Sequence, residues 1–159
     1  MAQVAFWLTL GAATAAGMLA GASLDQCIKQ LPARHRIGVK VYAAYSQAAD
    51  LGNGIVFYGA LGIGSALLAV AAAVAIHLTA LSVTATLAAD LGAAFAVLHY
   101  LITTRAAPIL FLQLQAAETP EVLAGVFDRF SRWQALRAAV QVVNFGILLW
   151  AVVEVASVR

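Results

Sequence analysis

Apolar residues fill four long stretches of this chain, and the polar residues collect between them. The stretches run from about 2 to 23, 50 to 76, 78 to 104 and 137 to 158. A helix crossing a bilayer needs roughly 20 mostly apolar residues. The pattern therefore predicts an all-α protein: one integral membrane four-helix bundle over residues 1–159. The connections are a tight hairpin near His77 and two longer polar loops.

Within the first loop, Pro32 marks a break after which a helix restarts. The segment from Arg36 to Ile76 exceeds one crossing, so its early part, with Lys40, Tyr42 and Tyr45, protrudes or lies at the interface. In the third loop, Thr119, Pro120 and Glu121 read as a helix start: cap, proline at the first position, acid in the first turn. Leu123, Val126, Phe127 and Phe130 then recur at three and four, opposite Asp128, Arg129 and Arg132. This predicts an amphipathic interfacial helix before the last span, with Trp133 in the aromatic belt.

Small residues mark close helix contacts. Ala13, Gly17 and Gly21 recur every four residues in the first span, and Gly52, Gly54, Gly59, Gly62 and Gly64 crowd the second. In lipid such residues let backbones approach, so they read as packing seams. None belongs to a phosphate loop, since no strand precedes them and no lysine follows.

Composition agrees with the pattern. The chain is 64% hydrophobic and 10% charged, with a mean hydropathy of +0.93; soluble domains carry about 25% charged residues. A net charge of +2 gives no reason to expect a nucleic-acid partner. The single cysteine, Cys27, leaves neither an internal disulfide nor a CxxC centre and reads as a small interfacial residue. The first span lacks the basic flank of a signal peptide and reads as a permanent helix. Lys29, Arg34, Arg36 and Lys40 fall in the first loop, and Arg105, Arg129, Arg132 and Arg137 in or beside the third; the termini carry only Arg159. That places both termini outside and loops one and three in the cytoplasm, in a plasma (inner) membrane.

Charge inside the spans is where chemistry is expected. Trp133, Arg137, Gln141 and Asn144 fall within a narrow arc of one helix face. Ser46, Asp50 and Asn53, closed by Phe57, form a similar stripe ahead of the second span. A lipid-facing charge costs about 2.5–3.5 kcal/mol or more, so the stripes are expected to meet, with Asp50 paired to Arg137 and flanked by Asn53, Gln141 and Asn144. The arrangement reads as a polar clasp that fixes register, as the wall of a small-molecule pocket, or as an arginine reaching for headgroups. Asp90 falls near mid-membrane, where an acid is protonated or bonded to a neighbouring helix, with Thr86 a turn away. His99 lies on the opposite face from Asp90, with Thr103 a turn on. It reads as a hydrogen-bonded core histidine, a proton-transfer or ligand-binding group, or a metal ligand. No second histidine stands three or four residues away, so no metal is assigned. Glu154 lies near the outer end of the fourth span.

Several motifs resemble the anthrone-oxygenase-like family of four-helix membrane proteins. They are "GASL" ending the first span, "LPAR" after it, and "AAPILFLQLQAAETPEVLAGVFDRFSRWQALRAAV". Arg132, Trp133 and Arg137 match that family's arginine-tryptophan segment; Gln134 stands where His or Asn is usual, and Pro108 lacks the common Asn-Lys-Arg continuation. The resemblance implies cofactor-independent oxidation of an anthrone by O₂, with His99 or Asp50 as base, Arg137 stabilising the oxyanion, and Gln134 among the ligand contacts. An amide at 134 cannot exchange a proton near neutral pH, which departs from that chemistry. Three functions follow: a pocket protein for an aromatic or quinone-like lipophile, an oxygenase among them; an accessory or scaffolding subunit of a larger membrane complex; or a small transporter that works as a homo-oligomer.

Overall fold

The computed structural model describes residues 1–116 and 119–158. Arg159, the basic residue assigned to the termini, and Glu118 of the third loop lie outside the described residues. The elements are α1 (Ala2–Asp25), a π-turn (Gln26–Gln30), α2 (Leu31–Ile37), α3 (Val39–Ala48), a second π-turn (Ala49–Gly54), α4 (Ile55–Thr79), α5 (Val83–Phe111), a 3₁₀ turn (Leu112–Leu114) and α6 (Pro120–Ser157). Among the described residues there is no strand.

These elements join into four apolar columns, Ala2–Ile37, Val39–Thr79, Val83–Leu114 and Pro120–Ser157, each long and apolar enough to cross a membrane. The chain is a four-helix membrane bundle. The shortest column has 32 residues, or about 48 Å at 1.5 Å per residue, so every column outreaches a hydrocarbon layer of about 30 Å. α1 packs on α4 and α6, and α5 packs on α4 and α6.

Small residues set the spacing where helices touch. Ala5, Ala12, Ala13, Ala16 and Ala20 form the buried line of α1. A Cβ on Gly17 would stand 2.9 Å from the Phe145 ring, and one on Gly92 would stand 2.6 Å from Leu148. The seam reading fails elsewhere: Gly21, Gly59 and Gly64 have nothing within 4 Å of where a Cβ would be. The bundle's two ends differ. At the hairpin end the core is alanine-rich, with Ala5, Ala73, Ala85 and Ala89 around Ile76 and Val155. At the opposite end Tyr42, Phe127 and Phe130 fill a bulkier core.

Several boundaries differ from expectation. Pro32 does not break the first column: it sits in the first turn of α2, just after a π-turn. Proline lacks the N–H an α-turn would use, and the widened turn falls there. The break comes at Gly38, whose φ of +86° suits glycine. The amphipathic stretch does precede the last span, but it runs into it as one 38-residue helix. Its apolar face, Leu123, Val126, Phe127 and Phe130, buries against Tyr42, Ile109 and Leu110. Trp133 packs on that same cluster. The hairpin comprises Ala80 to Ser82; Ala80 is left-handed at φ +47°, and the Ser82 hydroxyl caps α5 by accepting from Ala85 N–H at 3.1 Å.

The second π-turn kinks the second column. Gly52 has non-helical backbone angles, and a Cβ on Gly54 would stand 2.6 Å from the Ala49 carbonyl oxygen. Backbone cannot move aside there as a side-chain tip can. Gly54→Ala should lower stability by about 1–3 kcal/mol, whereas Gly59→Ala, which meets open space, should be neutral or slightly stabilising. Equilibrium unfolding in mixed micelles compares the two; equal effects would show that the kink is not held by Gly54.

Candidate functional site

A polar chain closes the end of the bundle opposite the hairpin. The two π-turns carry its central residues, Gln26 and Asp50. The Ser46 hydroxyl donates to Asp50 Oδ2 at 2.8 Å, and Gln113 Nε2 donates to Ser46 Oγ at 3.3 Å. From the other side, Gln26 Nε2 donates to Asp50 Oδ1 at 3.2 Å, and Arg137 Nη2 donates to Gln26 Oε1 at 3.4 Å. Every donor points toward Asp50, so successive dipoles reinforce one another at the carboxylate.

This corrects the expected ion pair. Asp50 and Arg137 face inward and share one network, but they do not touch. The Gln26 amide stands between them, turning its NH₂ to the acid and its carbonyl to the guanidinium. Among the described residues the ion pairs are Lys29–Asp25 and Arg34–Asp128, and a His77 ring nitrogen lies 2.9 Å from Asp90 Oδ1.

A second group adjoins the first. Gln141, one turn beyond Arg137, places Nε2 2.8 Å from His99 Nε2. An amide nitrogen can only donate, so with the amide in this orientation His99 Nε2 accepts and a neutral ring carries its proton on Nδ1. The Thr103 hydroxyl lies 3.1 Å from the same ring nitrogen and donates to the His99 carbonyl at 2.9 Å. The ring packs alongside Gly62, where a Cβ would stand in ordinary contact, 3.7 Å from His99 Cε1.

Between these groups lies a cavity of about 220 Å³. Gln26, Asp50, His99, Arg137 and Gln141 form its polar end, while Leu19, Ile63, Leu110 and Phe130 are among its apolar walls. Several polar atoms here lack a hydrogen-bond partner in the protein, although buried: Arg137 Nε, Gln141 Oε1 and Gln113 Oε1. Buried polar groups are ordinarily satisfied, and each exception needs an explanation.

The other expected site residues separate from this group. Asn53 is exposed and does not line the cavity, because the kink at Gly52 turns the helix between Asp50 and Asn53. Phe57, expected to close that stripe, is exposed as well. Asn144 and Gln134 are buried on the α6 stripe but off the cavity. Gln134 is fully enclosed, and neither of its amide atoms has a partner. Trp133 also lies off the cavity.

Asp90 lies in the first third of α5. α5 begins at Val83, which puts Asp90 about 10 Å along a 29-residue helix. Its partner is His77 across the hairpin, at 2.9 Å on an exposed face, while Thr86 donates to the Ser82 carbonyl instead. His99 does point the opposite way, as expected. Glu154 accepts from Thr84 Oγ1 at 2.5 Å and from Trp150 Nε1 at 3.0 Å. Among the described residues no three His, Cys, Asp or Glu side chains are grouped to hold a metal ion.

Sequence reasoning missed Gln26 and Gln113 of the polar chain, and Tyr58 and Tyr100, which line the cavity. The signal for Gln26 was available: Leu19, Ser23 and Gln26 share one face at four and three, past the point where the apolar run ends. No family model, curated protein or solved structure matches the chain. The resemblance to the anthrone-oxygenase-like family stands on the quoted residues alone.

The polar chain predicts a measurable coupling. Gln26→Leu strands both Asp50 and Arg137, and should cost about 1–3 kcal/mol of stability. In the Asp50→Asn background the same substitution should cost much less, because an amide at 50 no longer needs the donor. A double-mutant cycle in mixed micelles measures this; additive losses would show that Gln26 does not link the two.

Proposed function

We propose that this protein binds a lipophilic aromatic or quinone-like small molecule inside the bilayer, near the cytoplasmic side. The observation that carries the reading is Arg137: its Nε has no partner, it faces no carboxylate directly, and it borders an otherwise largely apolar cavity. A ring carbonyl or phenolate oxygen would accept from its guanidinium. The site's volume of about 220 Å³ exceeds the roughly 150 Å³ of an apolar cavity that takes up benzene. A flat ring system with one acceptor at its edge fits both facts. The basic residues of loops one and three support a cytoplasmic placement of this end of the bundle, with both termini outside.

Oxidation of such a ligand by O₂ is the second reading, favoured by the adjacency of His99 and Arg137 and by the family resemblance. Binding is the better-supported step, because both candidate bases are already engaged: His99 Nε2 accepts from Gln141, and each Asp50 oxygen accepts a donor. A base role would require Gln141 to release the imidazole.

The protein extracted gently from its native membrane should carry a ring-bearing lipophile identifiable by mass spectrometry. Arg137→Leu should weaken binding of an added quinone about tenfold or more, the usual loss for a hydrogen bond from a charged donor. Titration by fluorescence quenching in vesicles reads the affinity. Unchanged affinity in Arg137→Leu would refute the pocket reading, and oxygen uptake with an anthrone that vanishes in His99→Ala would establish the second.

A further inference from the structure

The cavity is closed on two sides and open on a third. Its α1 and α6 walls, such as Leu19, Ser23, Phe130 and Gln141, are buried. Its α4 and α5 walls include exposed residues: Ile63, Tyr58 and, across from them, Tyr100 and Phe111. From Ile55 to Gly64 no residue of α4 is buried; burial begins at Ser65. The first turns of α4, just past the Gly52–Gly54 kink, therefore stand off the bundle, and the cavity lies behind them. Both rim segments belong to apolar columns long enough to cross a membrane, so this opening faces acyl chains.

We infer that the ligand enters sideways from the hydrocarbon, through the gap between α4 and α5, and keeps an apolar tail there while its ring occupies the cavity. This rests on the pocket reading above and adds the route and the tail. Volume argues for the tail: a space of about 220 Å³ is filled by a ring head group and cannot also take a long chain. The rim argues the same way, because Ile63, Tyr58 and Phe111 present apolar surface along the line a tail would follow. Gly54 is then a positioning residue, holding the kink that sets α4 apart.

Nitroxide labels on Tyr100→Cys and, separately, Ile63→Cys test this in the full chain, with Cys27→Ser as background, in phosphatidylcholine–phosphatidylglycerol vesicles. Both labels should relax with oxygen, which partitions into lipid, and resist a water-soluble nickel chelate. A benzoquinone bearing a decyl tail should immobilise them, whereas the same ring without its tail should not, although both compete for the Arg137-dependent site. Dominant access by the nickel chelate would overturn the inference, since the gap would then open to water. Shielding from both relaxants would overturn it too, as that is what a second copy covering the face would produce. So would Arg137-dependent binding of the tailed quinone that leaves both labels unchanged. Lipid-exposed labels with no binding of either quinone would also defeat it, and would place the failure in the pocket reading rather than in the opening.

Discussion

A buried acid and a half-buried arginine at one end of an apolar bundle must settle their charges largely without water, and the way they do so organises that end. Asp50 accepts from Ser46 and from Gln26, and Gln26 in turn accepts from Arg137. With Gln113 behind Ser46, one directional chain reaches all four helical columns. Left facing lipid, either charge would cost about 2.5–3.5 kcal/mol or more. Removing a link strands the next polar group, so the chain is held as a unit rather than as separate contacts. Both central residues sit in π-turns. Such turns add one residue to the helical repeat and re-aim what they carry, which is why they recur where a side chain must leave its regular face.

The two ends of the bundle divide the work. Toward the hairpin, alanines bring the backbones together, and in lipid that close packing is what holds helices associated. Toward the polar chain, aromatic side chains pack around α3 and the start of α6, and the kink keeps α4 from closing on its neighbours. A cavity can survive at this end because the tightly packed end fixes the columns' relative positions. Dispersion contacts forgone around the empty volume are offset by the long buried interfaces of α6 with α5 and with α1, where Gly92 and Gly17 respectively let helices approach.

Much of this was legible in the sequence and some of it could not be. Hydropathy alone located four columns, since nothing in water could compensate so much apolar surface. The α6 stripe of Arg137, Gln141 and Asn144 followed from 3.6-residue periodicity, and all three do point inward. The matching stripe ahead of α4 failed at Asn53, because periodicity assumes an unbroken helix and the Gly52 kink resets the phase. Asp90 shows a related effect: counting from the apolar boundary at 78 puts it five residues farther along its span than counting from the helix start at Val83. Gln26 was passed over because the apolar run ends at Ser23, while the helix continues to Ile37. Hydropathy reports where lipid ends, not where a helix does. Glycines read as seams split into those that touch a neighbour and those that do not, a distinction only three dimensions supply.

What a ligand would gain here follows from the state of the polar atoms. Gln26 uses its acceptor on Arg137 and a donor on Asp50, so it has little left to offer a guest. Gln141 commits its NH₂ to His99 and keeps a free carbonyl, while Arg137 keeps a free Nε–H. On the binding reading, a guest would meet the Arg137 guanidinium and the Gln141 amide as donor and acceptor in a low-dielectric space, where a single hydrogen bond discriminates more than it would in water. A molecule with a ring carbonyl satisfies Arg137, and one with an adjacent hydroxyl could satisfy Gln141 as well. A purely hydrocarbon guest would fill the same volume and leave both atoms orphaned. On the binding reading, selectivity at this site would rest on the Arg137 guanidinium and the Gln141 amide, and the apolar walls would decide only which shapes approach them.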